Sequence, residues 1–160
     1  MRRRDVFKVA IAGGAAMVMG GGKRIAFAEQ FFPIEVDKAL FQNINRVKDP
    51  ANETPLEEKH SPVITAPDKV RAGEPFDVEI VIGKVLHPMG PLHWIEYVQL
   101  NIGNEPAGRV DFRSHGYLKP STKFSVVLFD DLAGKKISLI VQLKCNLHGI
   151  WEAYKNVDVV

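Results

Sequence analysis

Cysteine is nearly missing: the 160 residues contain one, Cys145. An internal disulfide and any four-cysteine metal site are therefore excluded, and the thiol must be a buried free side chain, an intermolecular partner or a ligand. Methionine is sparse too, and none follows Met89, where many copper electron carriers place an axial thioether beyond the last histidine. Past the amino terminus no apolar run is long enough to cross a bilayer as a helix. Nor does a basic cluster follow Arg24, so the electrostatic footprint of a nucleic-acid partner is absent.

The chain's formal charge of +2 belongs to its beginning. Arg2, Arg3 and Arg4 precede Asp5-Val6-Phe7-Lys8, a Gly/Ala-rich apolar run extends from Val9 to Gly22, and Ala26-Phe27-Ala28 offers a small-residue cleavage site. That order predicts a twin-arginine-type export signal over residues 1–28. A retained anchor fits less well, because Gly13, Gly14, Gly20, Gly21 and Gly22 make the run poorly apolar for a span of roughly 20 residues. The segment holds six of the 21 Lys/Arg and one of the 19 Asp/Glu, leaving 15 and 18, a net charge near −3. The expectation is a soluble protein in the periplasm or another extracytoplasmic space, with no stable membrane insertion once the signal is removed.

Residues 29–57 read as a helix and loop extension: Val36, Leu40, Ile44 and Val47 recur at helical spacing before Asp49-Pro50 and Asn52 break the pattern. From residue 58 to 160 the texture is that of short strands. Phe76, Val78, Ile80 and Ile82 alternate with Asp77, Glu79, Val81 and Gly83, and further runs cover His93–Ile102, Arg109–Arg113, Lys123–Phe129, Lys136–Cys145 and Ile150–Val159. About seven such strands between Gly, Pro, Asn and Asp clusters predict an all-β, immunoglobulin-like β-sandwich in one domain. Within the run before the cysteine, Ile137, Leu139, Val141, Leu143 and Cys145 share a face, so Cys145 is expected to point inward at a strand end.

Four of the five histidines stand beside turn residues or at a strand start: His60 before Ser61-Pro62, His87 before Pro88, His93, and His148 before Gly149. In Cys145-Asn146-Leu147-His148-Gly149 two residues separate a thiolate from an imidazole, which lets both reach one ion from a tight turn. Alone, that spacing is commoner for a core cysteine beside a surface histidine. His87-Pro88-Met89-Gly90-Pro91-Leu92-His93 adds two imidazoles across a proline-stiffened loop, which lowers the entropy lost when both bind a metal. Glu58-Lys59-His60 adds another imidazole behind a carboxylate and an ammonium, charges that are usually solvated.

Taken together, Glu58-Lys59-His60-x-Pro62-Val63-Ile64, His87-Pro88-Met89-x-Pro91-x-His93-x-Ile95-Glu96 and Cys145-Asn146-Leu147-His148-Gly149-Ile150-Trp151 resemble the superoxide reductases of the desulfoferrodoxin/neelaredoxin family, in order and with every ligand type present. The chain resembles the one-iron members, since the second iron domain of the two-iron members needs four cysteines. Gly90 and Leu92 depart from the more polar loop of many relatives, so the surface there is expected to differ. The resemblance implies one non-haem iron (Fe2+/Fe3+) with His60, His87, His93 and His148 around it, Cys145 as axial ligand and a sixth position left open. It implies one-electron reduction of superoxide to hydrogen peroxide, with Lys59 attracting the anion and Glu58 closing on the site after product leaves. His115 is left as an ordinary loop histidine.

With four neutral imidazoles and one thiolate, the shell around Fe(II) carries a net charge of +1, rising to +2 on oxidation, which favours anions. A small electron-donor protein, a cytochrome or a rubredoxin-like carrier, and a homo-oligomeric state are also expected. Three rival readings stand beside this one. A blue-copper-like carrier would leave two histidines unused, a structural zinc suits five ligands with an open face poorly, and superoxide dismutation would have the same iron oxidise superoxide as a side activity.

Overall fold

Alternation with a period of two carries the architecture, and strand β4 (Pro75–Ile82) shows how. Val78, Ile80 and Ile82 are buried, while Asp77 before them and Glu79 between the first two are exposed, as a pleated strand with one face on a core requires. In the computed structural model, which describes residues 36–116 and 118–160, strand follows strand to the carboxyl terminus. The expected export signal, residues 1–28, lies outside the described residues.

The remaining strands are β1 (Ile44–Asn45), β2 (Pro62–Thr65), β3 (Lys69–Val70), β5 (Ile95–Ile102), β6 (Glu105–Asp111), β7 (Ser121–Val127), β8 (Lys136–Cys145) and β9 (Gly149–Val159). One sheet runs β2-β4-β7 and the other β1-β9-β8-β5-β6, with β3 also pairing to β9. Setting aside the two-residue strands β1 and β3, seven remain: the first, second and fifth form one sheet and the other four form the second. That division is the immunoglobulin-like sandwich that the strand pattern predicted. Between the sheets a single apolar cluster joins Val78, Ile80 and Ile82 to Val98, Leu100, Leu139, Val141 and Leu143.

Strand β8 follows its expected parity, since Leu139, Val141, Leu143 and Cys145 are buried and Cys145 ends the row. Its partner β5 departs from a simple alternation. Ile95 lies opposite Cys145 and Tyr97 opposite Lys144, so Glu96 is an extra residue, and both Ile95 and Val98 face the core. Such a bulge re-aims the strand end, and His93 and Trp94, read from the sequence as part of the strand, stand in the loop before it.

The amino-terminal extension differs from expectation in where its helix lies. The spacing of Val36, Leu40, Ile44 and Val47 predicts one helix, but the chain makes a 3-10 turn at Lys38–Phe41 and then the parallel strand β1 beside β9. Long-range pairing with β9 overrides the local helical spacing here, since propensity is a weak preference that tertiary contacts outweigh. The helix of this region is instead α1 (Pro55–His60). Thr54 and Glu57 close it with a reciprocal capping box and Pro55 opens it, an arrangement that satisfies free N–H groups at a helix start. Among the described residues no helix is long and apolar enough to cross a membrane.

Candidate metal centre

The five candidate ligands reach the site from four pieces of the fold. Helix α1 ends on His60, the loop between β4 and β5 carries His87 and His93, β8 ends on Cys145, and the turn into β9 carries His148. The backbone around them is tightly seated. Gly83 has φ +71°, and a Cβ there would lie 2.4 Å from the Lys59 carbonyl oxygen, so only glycine lets the loop that carries His87 pass against α1.

Four rings stand in a closed circuit. Neighbouring centroids are 4.7 Å apart for His60 and His87, 4.5 Å for His87 and His93, 4.8 Å for His93 and His148, and 4.7 Å for His148 and His60. Each neighbouring pair meets edge to face, whereas His60 and His93, across the circuit at 5.8 Å, are within 28° of parallel. The ligand atoms of His60, His87, His93 and Cys145 all lie within 4.8 Å of one another. His148 joins them through Nδ1, which is 3.0 Å from His60 Nε2 and 3.4 Å from the Cys145 sulfur. His93 Nε2 is 3.1 Å from the same sulfur.

Hydrogen bonds on the outer side decide which nitrogen faces inward. His60 Nδ1–H donates to the Leu56 carbonyl (2.8 Å) and His87 Nδ1–H donates to the Pro88 carbonyl (2.6 Å). A carbonyl can only accept, so Nδ1 carries the proton in both rings and Nε2 keeps its lone pair for the centre. His87 Nε2 is buried without a partner, and His60 and His87 are 0% and 1% exposed. A buried acceptor left unsatisfied is costly, and a metal ion among these donors would satisfy it.

The electrostatics agree. Burial pushes His87 down to about 3 and His60 and His93 down to about 4, and it lowers His148 as well. The rings are thus neutral at physiological pH, the form that binds metals. Burial raises Cys145, opposed by the backbone N–H groups of Leu147 and His148 that point at its sulfur. The Lys59 ammonium is among the charges that lower His60, His93 and His148, so its charge lies near the circuit. Four imidazoles and one sulfur form a donor set fit for a transition metal.

Of the residues singled out in the sequence, the structure brings together His60, His87, His93, Cys145 and His148. Lys59 and Glu58 stand half-buried on the last turn of α1, where the Glu58 carbonyl accepts the N–H groups of Lys84 (2.7 Å) and Val85 (3.3 Å). His115 is exposed in a loop with φ +63°. Three supporting residues had no assigned role. Asn146 staples the cysteine turn to the His93 loop, donating to the Leu92 carbonyl (2.9 Å) and accepting the Trp94 N–H (2.8 Å). Trp151 stacks on His60 at 5.3 Å and donates its indole N–H to the His148 carbonyl (2.9 Å). Thr54 caps the helix that ends on His60, and the Thr54-Pro55-Leu56-Glu57 run is the signal that would have found it.

Comparison with known proteins places this geometry among relatives. The desulfoferrodoxin family model matches residues 52–154. A Methanocaldococcus jannaschii protein provisionally named as a superoxide reductase is 37% identical over 114 residues, covering 71% of this chain and 92% of its own length. The superoxide reductase of Pyrococcus horikoshii is 36% identical over 102 residues, covering 59% of this chain and 84% of the relative. Among solved structures, the superoxide reductase (neelaredoxin) of Ignicoccus hospitalis is similar with a TM-score of 0.62 and 32% identity, covering 79% of this chain and all of that one.

Proposed function

Since this chain belongs to the desulfoferrodoxin family, we infer that it is a superoxide reductase, converting superoxide to hydrogen peroxide by a one-electron reduction. The observation that carries the reading is the circuit of four neutral imidazoles with the Cys145 sulfur against two of them. Iron is the metal we assign. Zinc prefers a closed four-ligand site, and blue copper uses two imidazoles, a thiolate and a weak axial group; four imidazoles with a thiolate exceed both. Held by His60, His87, His93, His148 and Cys145, iron would supply the electron that superoxide gains.

The chain's own groups prepare the encounter. Lys59, whose charge already bears on three of the rings, attracts the anionic substrate to a protein that is mildly acidic without residues 1–28. Glu58, one residue before it, is the carboxylate we assign to closing the site after product departs. Outer hydrogen bonds to Leu56 and Pro88 hold the His60 and His87 rings in a single tautomer, so neither of these two rings must shift a proton before the metal is bound. Electrons come from a small carrier protein, a cytochrome or a rubredoxin-like partner, and the protein works as a homo-oligomer. Residues 1–28 direct it to the periplasm as a twin-arginine-type signal, cleaved after Ala28; amino-terminal sequencing of the exported protein checks this.

Metal analysis and stopped-flow kinetics test the reading together. One iron per chain, a visible sulfur-to-iron absorption, and one peroxide per superoxide in the presence of donor are expected. One peroxide for every two superoxides without net donor oxidation would instead mean dismutation. Cys145→Ser is expected to lose the absorption and most of the reduction, whereas Lys59→Ala slows the second-order encounter and spares the absorption. Full activity in Cys145→Ser would overturn the assignment.

A further inference from the structure

The turn that carries Cys145 and His148 is held from outside by a segment that supplies no ligand. Residues 36–54 cross it in backbone contact. The Asp37 N–H donates to the Leu147 carbonyl (3.2 Å), and Ile44 and Asn45 pair in parallel with Ile150 and Trp151. Gly149 lies so close to this segment that a Cβ would stand 2.2 Å from the Leu40 carbonyl oxygen.

At the centre of the crossing is the Asn45 side chain. Its amide nitrogen is 2.9 Å from the Ile150 carbonyl oxygen, 3.0 Å from that of Leu40 and 3.4 Å from that of His148. Two hydrogens thus serve three acceptors, and the three belong to the segment and to both sides of Gly149. The His148 carbonyl also takes the Trp151 indole N–H, so the backbone of this ligand is gripped by two donors from two elements. Its Nδ1 faces the centre, and among the described residues its ring makes no outer bond of the kind that His60 and His87 make to Leu56 and Pro88.

We propose that Asn45 is a positioning residue for the metal centre, clamping the Cys145–Gly149 turn so that His148 Nδ1 and the Cys145 sulfur keep their places beside His60. The inference rests on the metal-site reading above. It requires a donor at position 45. An aspartate of the same shape sets a carboxylate oxygen against three carbonyl oxygens, and alanine removes the shared donor, leaving the His148 carbonyl to the Trp151 indole alone.

Cobalt(II) titration of the full chain, freed of metal, tests this, because the d–d and sulfur-to-cobalt bands report the ligand field directly. Asn45→Asp and Asn45→Ala are compared with Arg46→Ala. The last cuts the Arg46–Glu152 pair (2.6 Å) on the same segment and touches neither the turn nor a ligand. The Asn45 variants are expected to bind cobalt at least about tenfold more weakly and to show a shifted sulfur-to-cobalt band, with Arg46→Ala within about twofold of the parent and its spectrum unchanged. Asn45→Ala keeps the test open should Asn45→Asp not fold. If both Asn45 variants keep the parent's affinity and band, or if Arg46→Ala shifts them as much, Asn45 contributes only to general stability and the proposal fails. Failure of the parent chain to take up cobalt at one per chain would instead sink the metal-site reading itself.

Discussion

At the scale of single residues, the imidazoles are useful because they are neutral. In the unfolded chain they titrate near 6.5, but burial lowers them in the folded protein, His87 to about 3 and His60 and His93 to about 4. Between those values the unfolded state binds more protons than the folded one, so stability increases with pH. The metal-free protein should therefore hold its stability above about pH 6.5 and lose it progressively as the pH is lowered towards 4. Thermal denaturation across that interval checks this, and a flat profile would contradict it. Cys145 behaves oppositely, since burial raises its thiol and the metal must displace its proton. Metal uptake near pH 7 should thus release about one proton per chain, from the sulfur and not the rings. Calorimetry in buffers of different ionisation enthalpy counts that proton, and Cys145→Ser should abolish it.

At the scale of elements, the ligands depend on how their segments begin, end and touch. Helix α1 is six residues long, too short to persist on helical hydrogen bonds alone, and it relies on the Thr54–Glu57 box at its start. Thr54→Ala should cost about 1 kcal/mol, measured by denaturant unfolding, and should loosen His60 at the other end. Gly149 has φ +72° and is in contact with the Leu40 carbonyl. Gly149→Ala therefore suffers strain and collision together and should cost about 2–4 kcal/mol. Because the displaced backbone lies beside His148, metal affinity should fall with it, which the same unfolding series with and without metal would show.

At the scale of the whole molecule, one metal would join a helix end, a loop, and a strand end with the turn that follows it, three places distant in sequence. Anything that binds the folded state alone stabilises it by mass action, about 2.7 kcal/mol at a free metal concentration 100 times the dissociation constant. For a chain of this size that is roughly 8 °C in Tm. Removing the metal with a chelator should lower Tm by about that amount, and restoring it should recover the loss; an unchanged Tm would mean that the ligands are not brought together by the ion. The core beneath does not depend on the metal, since Leu139, Val141 and Leu143 pack against the opposite sheet.

What the amino-acid order determines by itself is whatever depends on period and type. Alternation of apolar and polar residues set the strands and the inward aim of Cys145. The kinds and order of ligands in the Glu58–Ile64, His87–Glu96 and Cys145–Trp151 motifs marked the family and the donor set, because metal chemistry selects side chains by type. What tertiary structure decided is whatever depends on meeting. The ring order around the circuit, the inward nitrogen of each imidazole and the bulge at Glu96 follow from which backbone group lies opposite which. The same holds for residues 36–54, where helical spacing pointed to a helix and pairing with β9 made a strand. No local pattern could announce that Asn45 would face three carbonyls, two of them more than a hundred residues away, since a hydrogen bond is fixed by distance in space and leaves no period in the chain.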